Sequence, residues 1–312
     1  MDPYKAANIR LTNLLSGVGS GDDEMFDQIL REEAPWTKVG FALGSGGLVA
    51  AGASLICFLC ELAGQRADIL GGATLTLDSL AAAAVGLVAG IPLAGLRAVI
   101  WGPDIRSRLS SVNKMVELEE EYYQPILAGM NDVQAAITLT SEVLPTLLIL
   151  LPAAQYGLTF SYGVYCELTA QLVHAKDLDV TATSETLALL TTAALTAIGQ
   201  LVNGSISEEQ KQTVDDALEN ADRYYRLMWM QPGRTQEDAQ DARRAFEYVA
   251  RTYVDTWQEA SRLSAMLAAG EVIYLGLLWR ATGDLWAPFV AAMLPHMVDF
   301  YFVRKRMDTA SA

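Results

Sequence analysis

Gly276-Leu-Leu-Trp-Arg-Ala-Thr-Gly-Asp-Leu-Trp-Ala-Pro288, continuing Phe-Val-Ala-Ala-Met-Leu-Pro-His296, joins two apolar stretches across a polar turn. The stretches cover about 263–279 and 285–303, and Thr282-Gly283-Asp284 between them supplies turn-forming residues. At about 1.5 Å per residue each approaches the roughly 30 Å of a bilayer's hydrocarbon core. The pair reads as a transmembrane helical hairpin.

Working outward, the same reading recurs. The 312-residue chain is 52% hydrophobic with a mean hydropathy of +0.22, above the balance of an ordinary soluble domain. Apolar runs lie at about 36–62, 80–101, 135–154, 156–174 and 183–202. With the C-terminal hairpin they make roughly seven expected spans. The expected class is an all-α, polytopic integral membrane helical bundle. Gly40, Gly44, Gly46, Gly47, Ala50, Ala51 and Gly52 in the first run suit close helix–helix contact. Arg97, near the end of the second, is placed where it can snorkel to the interface.

The spans divide the chain into a polar N-terminal segment (1–35), a first part of the bundle (36–203), a hydrophilic insertion (204–262), the C-terminal hairpin (263–304) and a tail (305–312). In the insertion, Ser207-Glu-Glu-Gln210 has the pattern of a capping box, and Val214, Ala217, Leu218, Ala221, Tyr225 and Met228 follow at helical spacing. Pro232-Gly233 breaks that helix. Thr235-Gln-Glu-Asp238 starts another, with Ala242, Phe246, Val249, Tyr253, Trp257 and Ala260 on one stripe. An extramembrane αα-hairpin is expected, its stripe packing the two helices together.

Charge narrows the partners. A formal net charge of −15 leaves nothing basic enough to displace counterions from a phosphate backbone, so no nucleic-acid partner is expected. Three cysteines give no disulfide framework, and Cys57 and Cys60, inside an apolar run, read as buried small hydrophobes. No basic region followed by an apolar one marks a secretory signal at the N-terminus. The basic loop at 102–133 and the tail Arg304-Lys305-Arg306 would lie on opposite sides if an odd number of spans separated them. One segment must then be re-entrant, or the count is off by one.

The stretch Gly276–Pro288 resembles the C-terminal signature of the CAAX-protease and bacteriocin-processing (CPBP) family of intramembrane endopeptidases, also called Abi proteins. Residues 74–103 and 140–152 look similar to that family more weakly, and together the three stretches cover about a third of the chain. The resemblance implies a helical bundle around a cavity open to the membrane. In the family a Glu-Glu-x-x-x-Arg, a Phe-x-x-x-His and a His-x-x-x-Asn/Asp motif sit on separate helices. A carboxylate and imidazoles in a partly dry cavity can activate water and stabilise an oxyanion.

Laid on this sequence, the motifs are degenerate. Ser141-Glu142 stands for the glutamate pair, with Thr146 for Arg; Gln200 stands for the second-motif His; Ala292 falls on the third-motif His and His296 on its Asn or Asp. Rival placements are Glu119-Glu120 with Gln124, Glu32-Glu33 with Lys38, and a slipped third motif pairing His296 with Asp299 or Phe300. The placement on Ser141–Thr146 implies that no catalytic set survives, and no metal site is expected with only two histidines.

Polar residues inside apolar runs need partners, because a charge at mid-bilayer costs at least about 2.5–3.5 kcal/mol. Glu142, Glu167, His174, Gln200 and His296 are those residues, and Glu167, His174, Gln200 and His296 could each offer an atom to a pigment magnesium. The expectation is a scaffold or assembly subunit of a larger membrane complex with no cofactor. The alternatives are an endopeptidase using Glu142 or Glu120 with His296, and a chlorophyll- or lipid-binding protein. Expected partners are membrane lipids and other integral subunits, met through residues 204–262 and the small-residue helix faces. Trp101-Gly-Pro103 and Pro125-Ile-Leu-Ala-Gly129 are similar to plastid members of the family, which implies a thylakoid setting.

Overall fold

The computed structural model describes residues 2–16, 18, 28–65, 67–147, 151–173, 179–229 and 235–311, and no strand occurs among them. Its helices include α1 (Pro3–Leu15), α2 (Pro35–Leu62), α3 (Leu77–Trp101), α4 (Pro103–Arg108), α5 (Ser110–Leu127), α6 (Asp132–Pro145), α7 (Leu151–Val173), α8 (Val180–Asn203), α9 (Glu208–Glu219), α10 (Ala221–Trp229), α11 (Gln236–Thr282) and α12 (Trp286–Ser311). Five of them, α2, α3, α8, α11 and α12, are long and apolar enough to cross a bilayer. The chain is a helical integral membrane protein.

The expected third and fourth spans take another form. α6 has 14 residues, about 21 Å at 1.5 Å per residue, too short to cross alone. It ends at Pro145, where the ring removes a helical hydrogen bond, and Thr146 and Leu147 form a wider turn. α7 packs against α8, where Gln155 and Tyr162 bond to the adjacent residues Thr192 and Thr191.

Where α6 begins, Arg304 of the tail pairs with Asp132 at 2.6 Å, and Arg306 pairs with Glu120 of α5 at 2.5 Å. Loop and tail therefore share one end of the bundle. Pro152, at the start of α7, instead packs against Gly71 in the loop at the other end. α6 and the start of α7 thus lie at opposite ends of the bundle, in the region where a third span is expected over 135–154.

α3 and α12 form the tightest pair, and the reason lies in two glycines. A Cβ at Gly86 would sit 2.1 Å from the carbonyl oxygen of Ala287, and one at Gly90 would lie 2.8 Å from that of Ala291. With Ala82 buried one turn earlier, a small residue every fourth position lets the backbones touch. On α2 only Gly46 plays that part, against Ser141 and Pro145 of α6; Gly40, Gly44, Gly47 and Gly52 meet nothing within 4 Å.

α11 is one 47-residue helix, about 70 Å long at 1.5 Å per residue, and it runs unbroken through positions 262 and 263. Its N-terminus is closed by a capping box in which Thr235 and Asp238 bond reciprocally, and its end by Gly283 at φ 66°. The first half belongs to a polar lobe with α1, α9 and α10. Ser207 caps α9 through the Gln210 amide at 3.1 Å, while Asn220 separates α9 from α10. The turn assigned to Pro232-Gly233 lies outside the described residues. Of the expected stripe, Ala242 to Tyr253 pack in the lobe, where Leu11 and Ala7 of α1 are buried with Val214, Tyr225, Phe246 and Ala250, whereas Trp257 bonds to the Gly204 carbonyl and Ala260 joins the bundle core.

Candidate functional site: a buried charge centre

Where α3, α5, α6 and α12 meet at the lobe end, the chain buries a group of charges. Arg97, the expected snorkeller, turns inward. Its Nη1 donates to Glu119 Oε1 at 2.9 Å and its Nε lies 3.6 Å from Asp299 Oδ2, with Arg97 17% and Asp299 1% exposed. The reason is geometric: α5 supplies Glu119 and α12 supplies Asp299 on the inward side of Arg97. Asp299 Oδ1 also accepts the indole N–H of Trp101 at 2.8 Å. Trp101 is itself stacked on Phe302 and covered by the Arg306 guanidinium at 5.1 Å. Lys38 fixes α5 from the other side, donating to the carbonyls of Pro125 and Ala128 at 2.9 Å each.

Tyr123 extends the network, donating its hydroxyl to Glu142 Oε1 at 3.2 Å. Burial first, then the neighbouring charges of Glu142, Glu119 and Asp299, hold its phenol well above the ordinary value. It therefore stays a neutral donor. Glu271 of α11 and His296 of α12 lie within electrostatic reach of Arg97, and Glu119 also acts on His296. Glu119 Oε2, Asp299 Oδ2 and His296 Nδ1 are buried without a hydrogen-bond partner.

The residues expected from the sequence separate into two groups. Glu142 and His296 reach this centre, and Ala292 is buried one turn before His296. Ser141 and Thr146 do not: their hydroxyls bond to the carbonyls of Ile137 and Glu142 in their own helix. Gln200 is exposed on α8 and Glu167 is exposed on α7, while His174 lies outside the described residues. Cys57 and Cys60 are free and buried. Among the described residues no group of three His, Cys, Asp or Glu is disposed to hold a metal ion.

Sequence reasoning gave Arg97 and Asp299 other roles and passed over Glu271. The available signal was an arginine and an aspartate each inside an apolar run, which usually implies a shared partner.

The geometry defines an all-helical integral membrane protein with a charge centre closed at one end by an amphipathic helix. No protein-family model, curated protein or solved structure matches this chain.

Proposed function

We propose that the chain is a non-proteolytic, CPBP-like membrane protein acting as a scaffold or assembly subunit of a larger membrane complex, photosynthetic if the likeness to plastid members holds. One observation carries the reading: the Arg97 guanidinium of the centre is spent within it. Arg97 is held between Glu119 and Asp299, and Asp299 is further tied to Trp101. Such a set fixes helices; it leaves no free cation for a substrate. The hydroxyls of Ser141 and Thr146 are occupied by their own helix, and Ala292 contributes a methyl group.

Contacts for a complex are available on two faces. Gly40, Gly44 and Gly47 on α2 form an i, i+4, i+7 row open to its surroundings, the kind of face that admits a second helix closely. In the lobe, Tyr248 and Leu227 are 63% and 57% exposed.

The second reading, an intramembrane endopeptidase, has its own support in the unpartnered Glu119 Oε2 and His296 Nδ1. That pair corresponds to the rival placement of the first motif on Glu119-Glu120. The test is direct. Purified protein in nanodiscs is incubated with prenylated and transmembrane peptides, and its native mass is measured in mild detergent. Scaffolding predicts no cleavage and one partner at fixed stoichiometry, lost in Gly44→Leu or Tyr248→Glu. Cleavage abolished by Glu119→Gln and His296→Ala would replace the scaffold with the enzyme.

A further inference from the structure

At the end of the bundle opposite the lobe, a pocket of about 490 Å³ lies between the 63–76 loop, α7, α8 and the last turn of α11. That volume falls within the roughly 300–1,000 Å³ of small-molecule sites. Three charged residues line it, Arg280, Glu185 and Asp68. They do not pair with each other. Arg280 Nη2 donates to Gln155 Oε1 at 3.2 Å and to the backbone carbonyl of Glu185, both neutral acceptors. Among the described residues its guanidinium has no carboxylate partner, and the Glu185 carboxylate has no partner either.

A third group points the same way: Gln65, which also lines the pocket, has a buried Oε1 with no donor. Asp68, the remaining carboxylate there, is committed to its own loop, accepting from the amides of Leu70 at 3.0 Å and Gly72 at 2.6 Å. The wall is rigid, because Trp279 donates its indole N–H to Gly71 O at 2.8 Å and packs edge-on to Tyr156.

A guanidinium bonded only to neutral oxygens keeps its charge and planar fork available for an oxyanion. An unpartnered carboxylate beside an unpartnered amide oxygen calls for a cation that carries N–H donors. Together they describe a zwitterion. Arg280 sits two residues from the end of a membrane-length helix, the level at which lipid headgroups lie. Exposed Leu62 at the end of α2 and exposed Phe160, beside the lining residue Thr159, give apolar surface next to it.

We propose that this pocket binds a phosphate-linked primary amine, the chemistry of an aminophospholipid headgroup, with the phosphate on Arg280 and the ammonium on Glu185 and Gln65. A quaternary amine has no N–H to give those two acceptors. The glycerol hydroxyls of an anionic headgroup can donate to Glu185 but bring no positive charge to offset it.

The test uses the full-length protein, delipidated in detergent, with lipid binding followed by native mass spectrometry and thermal unfolding. Probes are phosphatidylethanolamine, phosphatidylcholine, phosphatidylglycerol and free phosphoethanolamine. Phosphatidylethanolamine is expected to bind at least tenfold tighter than either other lipid. Binding of free phosphoethanolamine with the same dependence on Glu185, without binding of the lipid, would support the site and assign it a soluble ligand. Glu185→Gln should abolish the preference while leaving the lipid-free melting temperature unchanged. Arg280→Gln should weaken all the phosphate-containing probes; if it fails to fold, Glu185→Gln carries the test alone. Equal binding of the three lipids, or a preference that survives Glu185→Gln, overturns the assignment.

Discussion

Arg97 on α3 and Asp299 on α12, 202 positions apart in the sequence, face each other at 3.6 Å, with Asp299 1% exposed. The contact exists because Gly86 and Gly90 let the two backbones touch earlier along the same pair of helices. A close approach by small residues thus sets the distance at which the charges meet. Removing the cation leaves Asp299 and Glu119 buried against each other. Arg97→Ala is expected to cost about 3–5 kcal/mol of unfolding free energy, as for other broken buried pairs. Asp299→Asn should cost less, since the Trp101 N–H keeps its acceptor. Denaturant unfolding in mixed micelles measures both, and equal effects of the two variants would refute this account of the centre.

Helix approach itself gives a second prediction. Gly86→Ala places a methyl group 2.1 Å from the Ala287 carbonyl oxygen, so α3 and α12 must separate. A loss of about 1–3 kcal/mol is expected, as for other overpacked contacts. Gly95→Ala, on the same helix with nothing within 4 Å, is the control and should change stability by less than about 0.5 kcal/mol. Thermal melting of the two variants side by side checks the contrast.

Much of this fold was readable because hydropathy and helical spacing both act locally. The apolar runs at 36–62, 80–101 and 183–202 correspond to α2, α3 and α8. The break between α6 and α7 was hidden, since Leu147 to Leu151 keeps the hydropathy high on both sides of Pro145 and Pro152 and so reads as continuous. The single helix α11 was hidden for the converse reason: its composition changes near 262 while its backbone propensity does not. Of the charge centre, Glu142 and His296 stood out as polar groups in apolar runs. Arg97 did not, because its place near a helix end fits an interface as well as a buried pair, and only the position of α5 distinguishes them.

In the lobe, Phe246 is fully buried and Leu11 is 2% exposed, and the Arg10 guanidinium lies 3.6 Å above the Tyr224 ring and 4.4 Å above that of Phe246. α1 is therefore part of the lobe core. Phe246→Ala should cost about 3–5 kcal/mol, as for other buried aromatic truncations. Leu11→Asp should release α1 alone, because it puts a charge where α1 meets α11. Limited proteolysis then cuts before residue 16 in the variant and not in the parent, while the membrane helices stay protected. Loss of that protection as well would mean that the lobe and the bundle fold as one unit.

Orientation follows from which charges share an end. The Arg304–Asp132 and Arg306–Glu120 pairs put the tail on the same side as the loop that carries Arg106, Arg108 and Lys114. Six basic residues in short segments thus gather beside the lobe. The opposite connections at 63–76 and 283–285 hold a single basic residue in sequence, Arg66. The excess of lysine and arginine marks the side from which a membrane protein is inserted, so the lobe should lie on that side and the Arg280 pocket on the other. Single cysteines in place of Glu209, Arg108 and Leu70, in a Cys166→Ser background, report this through an impermeant maleimide. Positions 209 and 108 should label from one side of sealed vesicles and position 70 only from the other. Labelling of 108 and 209 from opposite sides would break the shared end on which the orientation rests.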